Sequence, residues 1–261
     1  MNLQRHTFQH NALTFSYLDS TVGTHVLVAL HGHLMEAATF VPLAASLSPA
    51  WRVIALDQRG HGHSSHAPTY HRADYIGDLE ALFAHLNLPQ AVLLGSSLGG
   101  VNAFQFAARN PGQVSALIIE DIGAIVTDDI SFILPWSGVS PTRDALVAKV
   151  GERFAPYLSD SFRQIPEGWT LAFEPHEMVA SQNALRGDHW HNFLATTCPA
   201  LLIRGTQSRV TSAELLEQMA LRRPNTTLLT LEGGHILHMD QPALFNAAVS
   251  ELLDSLQAAA D

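Results

Sequence analysis

The stretch AVLLGSSLGGVNAFQFAARN, Ala91 to Asn110, decides the fold. Its first half is a short, continuously apolar run that predicts a buried strand, and its second half has the pattern of a helix. Ser97 lies at the turn between them, in a G-x-S-x-G pattern completed by Gly95 and Gly99. A sharp strand-to-helix turn of this kind lifts a serine hydroxyl clear of the sheet, where neighbouring side chains would collide. Ser97 is therefore the candidate nucleophile.

The chain around this stretch alternates short apolar runs with helical patterns. After a hairpin within QHNALTFSYLDS, the predicted strands begin at His25, Trp51, Ala91, Ser115, Ala200 and Thr226. The predicted helices lie near 36–48, 71–87, 99–110, 212–222 and 242–258. Continuously apolar strands are typical of a parallel sheet covered on both faces. The alternation predicts an α/β fold with a mostly parallel, doubly wound sheet.

This alternation stops between about 124 and 195, where aromatic residues, prolines and short helical pieces replace it. A segment of about seventy residues is too long for a loop without secondary structure of its own. We predict that 124–195 forms a helical cap over the carboxyl edge of the sheet. The core domain would then consist of 1–123 and 196–261.

Composition and charge exclude several classes of function. The 261 residues carry a formal net charge of −10 without a Lys/Arg run, which argues against nucleic-acid binding. No apolar run reaches the length of a membrane span. The first residues lack the apolar core of a signal peptide, and we interpret the single cysteine, Cys198, as core packing. We expect a cytoplasmic protein that acts on a small molecule, and leave its oligomeric state open.

The 15 histidines do not indicate a metal site. The two HGH motifs, at His31 and His61, lie in predicted loops, and no HExxH pattern occurs. We therefore predict neither a metal nor a cofactor.

Two loops carry candidate groups for acyl chemistry. In VALHGHLMEAATF, which follows a strand, the backbone N–H of His33 is a candidate oxyanion donor, with Leu34 as the alternative. The N–H of Leu98, at the start of the helix after Ser97, is the other donor. We expect the His31 side chain to be structural, and leave open whether the His33 side chain lines the pocket.

The candidate base lies in LEGGHILHMDQP, a loop after a late strand. Paired glycines let His235 approach the serine, and His238 is the alternative base.

The loop DQRGHGHSS follows another strand and shapes the region beside the site, with Asp57 and Arg59 expected to form structural ion pairs.

These four stretches, HGH, DQRGHGHS, GSSLGG and GGHILHMDQP, occur in the order typical of the α/β-hydrolase fold family, and the chain resembles that family from end to end. The resemblance implies an eight-stranded sheet, a cap after strand six and a Ser–acid–His triad. The chain departs from the common pattern at Ser208, where the acid of the family usually lies.

The missing acid has two alternative sources. Glu214 lies in a helical run close to Ser208, whereas Glu120 and Asp121 end the strand ALIIED. Adjacent strand residues point to opposite sides, so only one of this pair faces the site. Some branches of the family place the acid after strand six, about two dozen residues beyond the nucleophile, and Asp121 is 24 residues after Ser97. We predict Asp121 as the acid; alternatively, it caps a turn and the enzyme works with a Ser–His dyad.

The resulting prediction is a cofactor-free serine hydrolase that cleaves a small ester or amide. The placement of the acid after strand six resembles that in hydrolases that cleave succinate-type enamides. It also resembles that in cofactor-independent dioxygenases, in which a His–Asp pair deprotonates a quinolone. The dioxygenase is the alternative prediction, and a non-catalytic receptor of the same fold is the third.

Candidate substrate contacts come mainly from the predicted cap. Trp136 and Trp190 would suit an apolar or planar acyl group, together with Leu34 from the core. Arg143 could clamp a substrate carboxylate, as could Arg153 and Arg163; a solvated helix face is the alternative interpretation for each arginine.

Overall fold

The computed structural model describes residues 3–258. The first two and last three residues of the predicted core domain therefore lie outside the described residues. Within this range the strands are β1 (Gln4–His10), β2 (Leu13–Asp19), β3 (His25–Leu30), β4 (Trp51–Leu56), β5 (Ala91–Ser96), β6 (Val114–Glu120), β7 (Ile125–Val126), β8 (Phe162–Ile165), β9 (Gly168–Leu171), β10 (Gly187–Asp188), β11 (Ala200–Gly205) and β12 (Thr226–Leu231).

Eight of these strands form the main sheet of the described chain, in the order β1-β2-β4-β3-β5-β6-β11-β12. β2 is antiparallel to both of its neighbours, β1 and β4. Every other neighbouring pair is parallel. The mostly parallel eight-stranded sheet is therefore confirmed, as is the hairpin at its start.

Helices cover both faces of this sheet. The α-helices of the described range are α1 (Val41–Leu47), α2 (Arg72–His85), α3 (Leu98–Arg109), α4 (Arg143–Val150), α5 (Pro175–Leu185), α6 (Trp190–Phe193), α7 (Ala213–Arg222), α8 (Leu237–Asp240) and α9 (Pro242–Ala258), of which α4, α5 and α6 belong to the segment between β6 and β11. In the central strand β5, Ala91 and Leu93 pack with α2 and α3, whereas Val92 and Leu94 pack with α1 and α9. This alternation is why the strand is apolar at every position. None of the helices in the described range is long and apolar enough to cross a lipid bilayer.

Between β6 and β11 the chain leaves the sheet and forms α4, α5, α6 and two short antiparallel strand pairs. β8 pairs with β9 as a hairpin, and β7 pairs with β10. The backbone N–H of His189 donates to the carbonyl of Ala124 at 2.7 Å, next to the β7–β10 pair. The two ends of this inserted segment are therefore joined by main-chain hydrogen bonds where it leaves and rejoins the core.

The parallel strands place the predicted site residues at one edge of the sheet. His33 follows β3, Ser97 follows β5, Asp121 follows β6, Ser208 follows β11 and His235 follows β12. The carboxyl ends of parallel strands are where ligand-binding groups gather in open α/β sheets.

Candidate active site

Ser97 lies in a strained turn between β5 and α3. Its backbone φ is 50° and ψ is −116°, a combination that non-glycine residues rarely adopt. A Cβ on Gly95 would lie 2.2 Å from the carbonyl oxygen of Gly99, and a Cβ on Gly99 would lie 2.1 Å from that of Leu30. Both positions therefore require glycine, for the steric reason inferred from the sequence.

The backbone of both predicted oxyanion donors lies next to this serine. Leu98 is the first residue of α3, so its N–H has no acceptor within the helix. A Cβ on Gly32 would lie only 3.2 Å from the Ser97 Cβ, which shows how closely the Gly32–His33 segment approaches. The alternative donor, Leu34, turns the backbone with a φ of 72°.

The side chains of the HGH motif are built into the fold. His31 is fully buried, and its Nε2 accepts from the backbone N–H of Gln58 at 3.0 Å, so Nδ1 donates to the carbonyl of Gly32 at 2.7 Å. Burial lowers the pKa of His31 to about 4, which keeps the ring neutral. The His33 side chain lines the cavity described below, with Nε2 2.8 Å from the hydroxyl of Ser181.

Asp121 contacts the predicted base and the serine at the usual acid position. Its Oδ2 lies 2.7 Å from Nδ1 of His235, and the same oxygen accepts a hydrogen bond from the Ser208 hydroxyl. Its Oδ1 accepts from the backbone N–H of Gly205 at 3.0 Å. The carboxylate is fully buried, whereas Glu214 is exposed in the first turn of α7.

The loop that carries His235 fits closely against the end of β11. A Cβ on Gly205 would lie 1.9 Å from the carbonyl oxygen of Gly234. The N–H of Gly234 donates to Oδ2 of Asp240 at 2.9 Å, and Oδ1 of Asp240 accepts from the hydroxyl of Tyr157 at 2.6 Å. These contacts hold the His235 loop against both the sheet and the inserted segment.

Glu120, the neighbour of Asp121, faces a different histidine. Its Oε1 accepts from the backbone N–H of His238 at 2.8 Å, and its Oε2 lies 2.7 Å from Nδ1 of that ring. Nε2 of His238 lies 2.6 Å from the Thr39 hydroxyl, and the side chains of the Glu120–His238 pair are almost completely buried. Burial alone would raise the pKa of Glu120, but the pair with His238 lowers it. Both nitrogens of His238 therefore face partners within the core.

The loop after β4 carries the two residues expected to form structural pairs. Asp57 lies 2.5 Å from Nη1 of Arg5 and accepts from the backbone N–H of Ala37 at 2.7 Å. Arg59 donates to both carboxylate oxygens of Asp78, at 2.7 Å and 2.8 Å. These contacts fix the loop, as inferred from the sequence.

A cavity of about 650 Å³ opens beside Ser97 and His235, a size typical of small-molecule sites. Ser208 and Leu34 line it as well. Much of the remaining wall is apolar and comes from the inserted segment and neighbouring loops: Met35, Ile130, Phe132, Phe154, Val210 and Ile236.

Of the other candidate substrate contacts, Arg153 also borders this cavity and Arg163 pairs with Glu36, whereas Trp136, Arg143 and Trp190 lie away from it, contrary to the expectation from the sequence. Trp136 is buried against Phe154, with ring centroids 5.2 Å apart. Arg143 is exposed on another surface with its guanidinium over the Phe162 ring, and the guanidinium of Arg222 covers Trp190 at 3.8 Å. These side chains stabilise the inserted segment and its junction with α7 rather than line the cavity.

Sequence reasoning also missed a carboxylate in the cavity wall, that of Asp128. The available signal was the pair Asp128–Asp129 shortly after the last sheet strand before the insertion.

Metal-binding geometry is not found within 3–258, since no group of three or more His, Cys, Asp or Glu side chains is suitably arranged. Cys198 is half-buried against the core, with its Sγ 3.4 Å from Nη2 of Arg223.

The sequence model of the alpha/beta hydrolase fold matches residues 25–164. The chain belongs to the α/β-hydrolase fold family. A crystal structure of E-2-(acetamidomethylene)succinate hydrolase superposes on this α/β-hydrolase with a TM-score of 0.87 at 24% sequence identity, covering 97% of this chain and 100% of the other.

Several curated hydrolases are similar to this α/β-hydrolase in sequence. The 2-(acetamidomethylene)succinate hydrolase of Mesorhizobium japonicum is 26% identical over 245 residues, 88% of each chain. The 3-oxoadipate enol-lactonase 2 of Acinetobacter baylyi is 28% identical over 211 residues, 77% of this chain and 78% of the other. The human serine hydrolase BPHL is 28% identical over 255 residues, 93% of this chain and 84% of the other. With the family match, these relatives identify the chain as a hydrolase.

Proposed function

We propose that this α/β-hydrolase is a cofactor-free serine hydrolase that cleaves a small ester or amide through an acyl-enzyme. One observation carries the proposal. The Asp121–His235 pair, with 2.7 Å between Oδ2 and Nδ1, lies at a cavity whose wall includes Ser97 at a strained turn. A nucleophile, a base and a group that orients the base are the parts that acyl transfer requires.

The roles follow from the hydrogen-bonding groups. With Nδ1 of His235 donating to the Asp121 carboxylate, Nε2 is unprotonated and accepts the proton of the Ser97 hydroxyl. The Ser97 oxygen attacks the substrate carbonyl, and the carbonyl electrons move to the oxygen as an oxyanion. The N–H groups of Leu98 and His33, or Leu34 in place of His33, donate to that oxyanion.

Collapse of the tetrahedral intermediate breaks the bond to the leaving alcohol or amine. His235 returns the proton to the leaving group, and Ser97 remains acylated. Water then enters, gives a proton to His235 and attacks the acyl carbon. The second collapse breaks the bond to the Ser97 oxygen, which takes the proton back from His235, and a carboxylic acid is released.

We also propose that 124–195 acts as a cap over this site, with the core formed by 1–123 and 196–261. In support, the apolar wall of the cavity includes Ile130, Phe132, Phe154 and Leu158, all from the inserted segment. An apolar cover excludes water, which strengthens the electrostatic interactions beneath it.

The apolar wall favours a small apolar acyl or leaving group. The relatives' names include both an amide-bond hydrolase and an enol-lactonase, so the bond class stays an ester or an amide. We do not transfer the succinate of the first relative to this chain. The cavity wall contains two carboxylates, of Asp128 and Asp129, and two guanidinium groups, of Arg153 and Arg209, so its formal charges balance and select no anionic substrate.

Labelling with a fluorophosphonate tests the nucleophile. The wild-type protein should gain one adduct, mapped by mass spectrometry to Ser97, and should hydrolyse p-nitrophenyl esters. Ser97→Ala should lose the label and several orders of magnitude of turnover while it keeps the wild-type unfolding midpoint. The neighbouring buried Ser96 offers a matched control, because Ser96→Ala should retain the label at Ser97. An adduct on another residue, or near-normal turnover in Ser97→Ala, would overturn the proposal.

A further inference from the structure

The side chain of His33 joins the loop after β3 to two helices. Its Nε2 lies 2.8 Å from the hydroxyl oxygen of Ser181 in α5, and that oxygen lies 2.7 Å from the hydroxyl oxygen of Tyr75 in α2. Both hydroxyl groups belong to buried side chains, since 0% of Ser181 and 2% of Tyr75 is exposed. Neither hydroxyl has a further hydrogen-bond partner among residues 3–258. The three side chains therefore form a short row joined by two hydrogen bonds.

The protons of this row decide which nitrogen of the His33 ring is protonated. The buried hydroxyl of Tyr75 must donate its proton, and within 3–258 its partner is the Ser181 oxygen. The Ser181 hydroxyl then donates its own proton to Nε2 of His33. In the opposite direction Nε2 would donate to Ser181 and Ser181 to Tyr75, and the buried Tyr75 proton would be left without an acceptor, which is costly. The proton of the neutral ring is therefore on Nδ1.

The surroundings of the His33 ring keep it neutral. Burial of most of the ring lowers the pKa of His33 well below its ordinary value, and the neighbouring His61 ring and Arg72 guanidinium lower this pKa further. A neutral imidazole has one N–H donor and one acceptor nitrogen. Because Nε2 is the acceptor, Nδ1 is a neutral donor at the pH of the cell.

Nδ1 of His33 is accessible from outside the fold and has no partner among the described residues. His33 lines the cavity together with Ser97 and is only partly buried. The neighbouring His61 provides a contrast: its ring lies 6.0 Å away, and its Nε2 is completely buried without a partner. Nδ1 of His33 is not among the completely buried atoms of 3–258. The part of the His33 ring that a ligand can contact therefore includes an N–H donor.

We propose that Nδ1–H of His33 donates a hydrogen bond to the acyl group of the substrate, so that this hydrolase prefers esters or amides of 2-hydroxy and 2-alkoxy acids to those of simple alkanoic acids. The backbone N–H of the same residue is the proposed donor to the substrate carbonyl. A group that accepts from both donors of one residue needs two oxygens close together, as a carbonyl and an oxygen on the adjacent carbon provide. This inference rests on the proposed function in taking the cavity as the acyl site and His33, rather than Leu34, as the oxyanion donor.

The protonation state of the ring tests the first step without any substrate. Proton–nitrogen correlation spectra of histidine side chains distinguish a protonated ring nitrogen from an unprotonated one. Among the 15 histidines, the signals of His33 are those that disappear in His33→Asn. We expect Nδ1 to be protonated and Nε2 to be unprotonated at neutral pH. A proton on Nε2 in the wild-type protein would overturn the proposal.

Two substitutions of similar shape isolate the donor. His33→Asn keeps an amide N–H near the position of Nδ1, whereas His33→Leu has no donor, and both lose the contact with Ser181 alike. In a Ser97→Ala background, ligand-observed NMR gives the dissociation constants of methyl methoxyacetate and of the isosteric methyl butanoate without turnover. The affinity for the methoxyacetate relative to the butanoate should be about 5-fold lower with His33→Leu than with His33 or His33→Asn. Equal relative affinities in the three proteins would overturn the proposal.

The p-nitrophenyl esters of the same two acids test the preference during turnover. Comparing each variant with the wild type on one ester removes the difference in intrinsic reactivity between the two esters. We expect His33→Leu to lower kcat/KM for the methoxyacetate about 5-fold more than for the butanoate, and His33→Asn to lower both alike. An equal loss for both esters in His33→Leu would mean that the ring only positions its loop, and the proposal would be wrong.

The two proposals can fail separately. If the fluorophosphonate does not label Ser97 but the relative affinity for methyl methoxyacetate depends on a donor at position 33, the acyl-enzyme chemistry is wrong and the His33 donor stands. If Ser97 is labelled and the relative affinities do not differ among the His33 variants, the hydrolase stands and the His33 donor is wrong.

Discussion

The hydroxyl of Ser208 donates a hydrogen bond to Oδ2 of Asp121, the same oxygen that lies 2.7 Å from Nδ1 of His235. The serine that occupies the usual acid position thus contacts a carboxylate that comes from another strand. Two loops, after β6 and after β11, therefore meet at one carboxylate, and that carboxylate contacts the imidazole of His235. The departure seen in the sequence is therefore local, because the group facing the ring is still a carboxylate.

Replacing the carboxylate should be much more damaging than replacing the serine. Asp121→Asn keeps the shape but removes the anion that orients His235, and the same change in a well-studied triad costs about 10⁴ in turnover. We expect a loss of about 10²–10⁴ here. Ser208→Asn retains a donor for Oδ2 and should cost less than about 10-fold. Steady-state kinetics with a p-nitrophenyl ester measure both, and a reversed order would mean that Asp121 is not the acid.

Moving the acid from position 121 to the usual position of the family, 208, should restore part of the activity. In the double variant Asp121→Asn and Ser208→Asp, the new carboxylate starts from a residue whose hydroxyl already contacts Oδ2 of Asp121. It should therefore reach His235, with recovery of about 10-fold over Asp121→Asn alone. Recovery should be incomplete because the N–H of Gly205 is directed at the original carboxylate. Ser208→Asn combined with Asp121→Asn supplies the isosteric, uncharged control, which should show no recovery.

We expect variants of the two histidines in the GGHILH loop to show that His235 is catalytic and His238 is structural. Glu120→Gln removes the buried carboxylate that faces the backbone N–H and Nδ1 of His238, and loss of hydrogen bonds to a charged group costs about 1.5–3 kcal/mol. Chemical denaturation should show this loss. His235→Gln should keep nearly wild-type stability but lose turnover, since its ring is partly exposed at the cavity. If His238→Gln abolishes turnover in folded protein and His235→Gln does not, the assignment of the base is wrong.

Buried histidines near the site should make the protein less stable in mild acid. Burial lowers the pKa of His61 to about 3, well below the value of about 6.5 in an unfolded chain. Because the unfolded state then binds the extra proton, the free energy of unfolding should fall as the pH falls, by about 1.4 kcal/mol per such residue between pH 7.5 and 5.5. His61→Asn should reduce this pH dependence by that amount in urea titrations at the two pH values. An unchanged dependence would show that His61 is charged in the folded state.

Dependence on molecular oxygen distinguishes hydrolysis from the dioxygenase alternative. A hydrolase should turn over its ester equally under nitrogen and release no carbon monoxide. In a dioxygenase the His235–Asp121 pair would deprotonate a hydroxyquinolone, so oxygen uptake would vanish in His235→Ala and survive in Ser97→Ala. An oxygen electrode with both variants makes the comparison, and that second pattern would replace the serine hydrolase proposal.

The sheet and its edge could be predicted because local chemistry dictates them. A Cβ on Gly95 or Gly99 would lie less than 2.5 Å from a backbone oxygen. Glycine is therefore required at both positions, and the residue pattern alone identifies the turn at Ser97. Glu120, the last residue of β6, and Asp121, which follows it with a left-handed φ of 49°, meet different histidines.

The inserted segment could not be predicted to the same depth. Its short helices and strands lack the regular hydrophobic pattern of the core strands and helices. The sequence therefore does not indicate which aromatic residues pack inside the segment. Trp136 packs on Phe154, whereas Phe132 and Phe154 border the cavity. Asp128 was missed because its backbone and that of Thr127 are held by Gln182 and Arg186, more than fifty residues later in the chain.

The β7–β10 pair joins the two ends of the inserted segment, so this segment forms a unit distinct from the sheet. The hydrogen bond between the N–H of His189 and the carbonyl of Ala124 closes the inserted segment on itself. We expect that a change in length between those two residues leaves the sheet and Asp121 in place if the contacts to the site loops, such as that of Tyr157 with Asp240, are kept. Evolution, or a protein engineer, could therefore exchange the specificity-bearing piece while the catalytic edge keeps its geometry. A graft that joins a related enzyme's segment at 124 and 189 would be the natural place to begin.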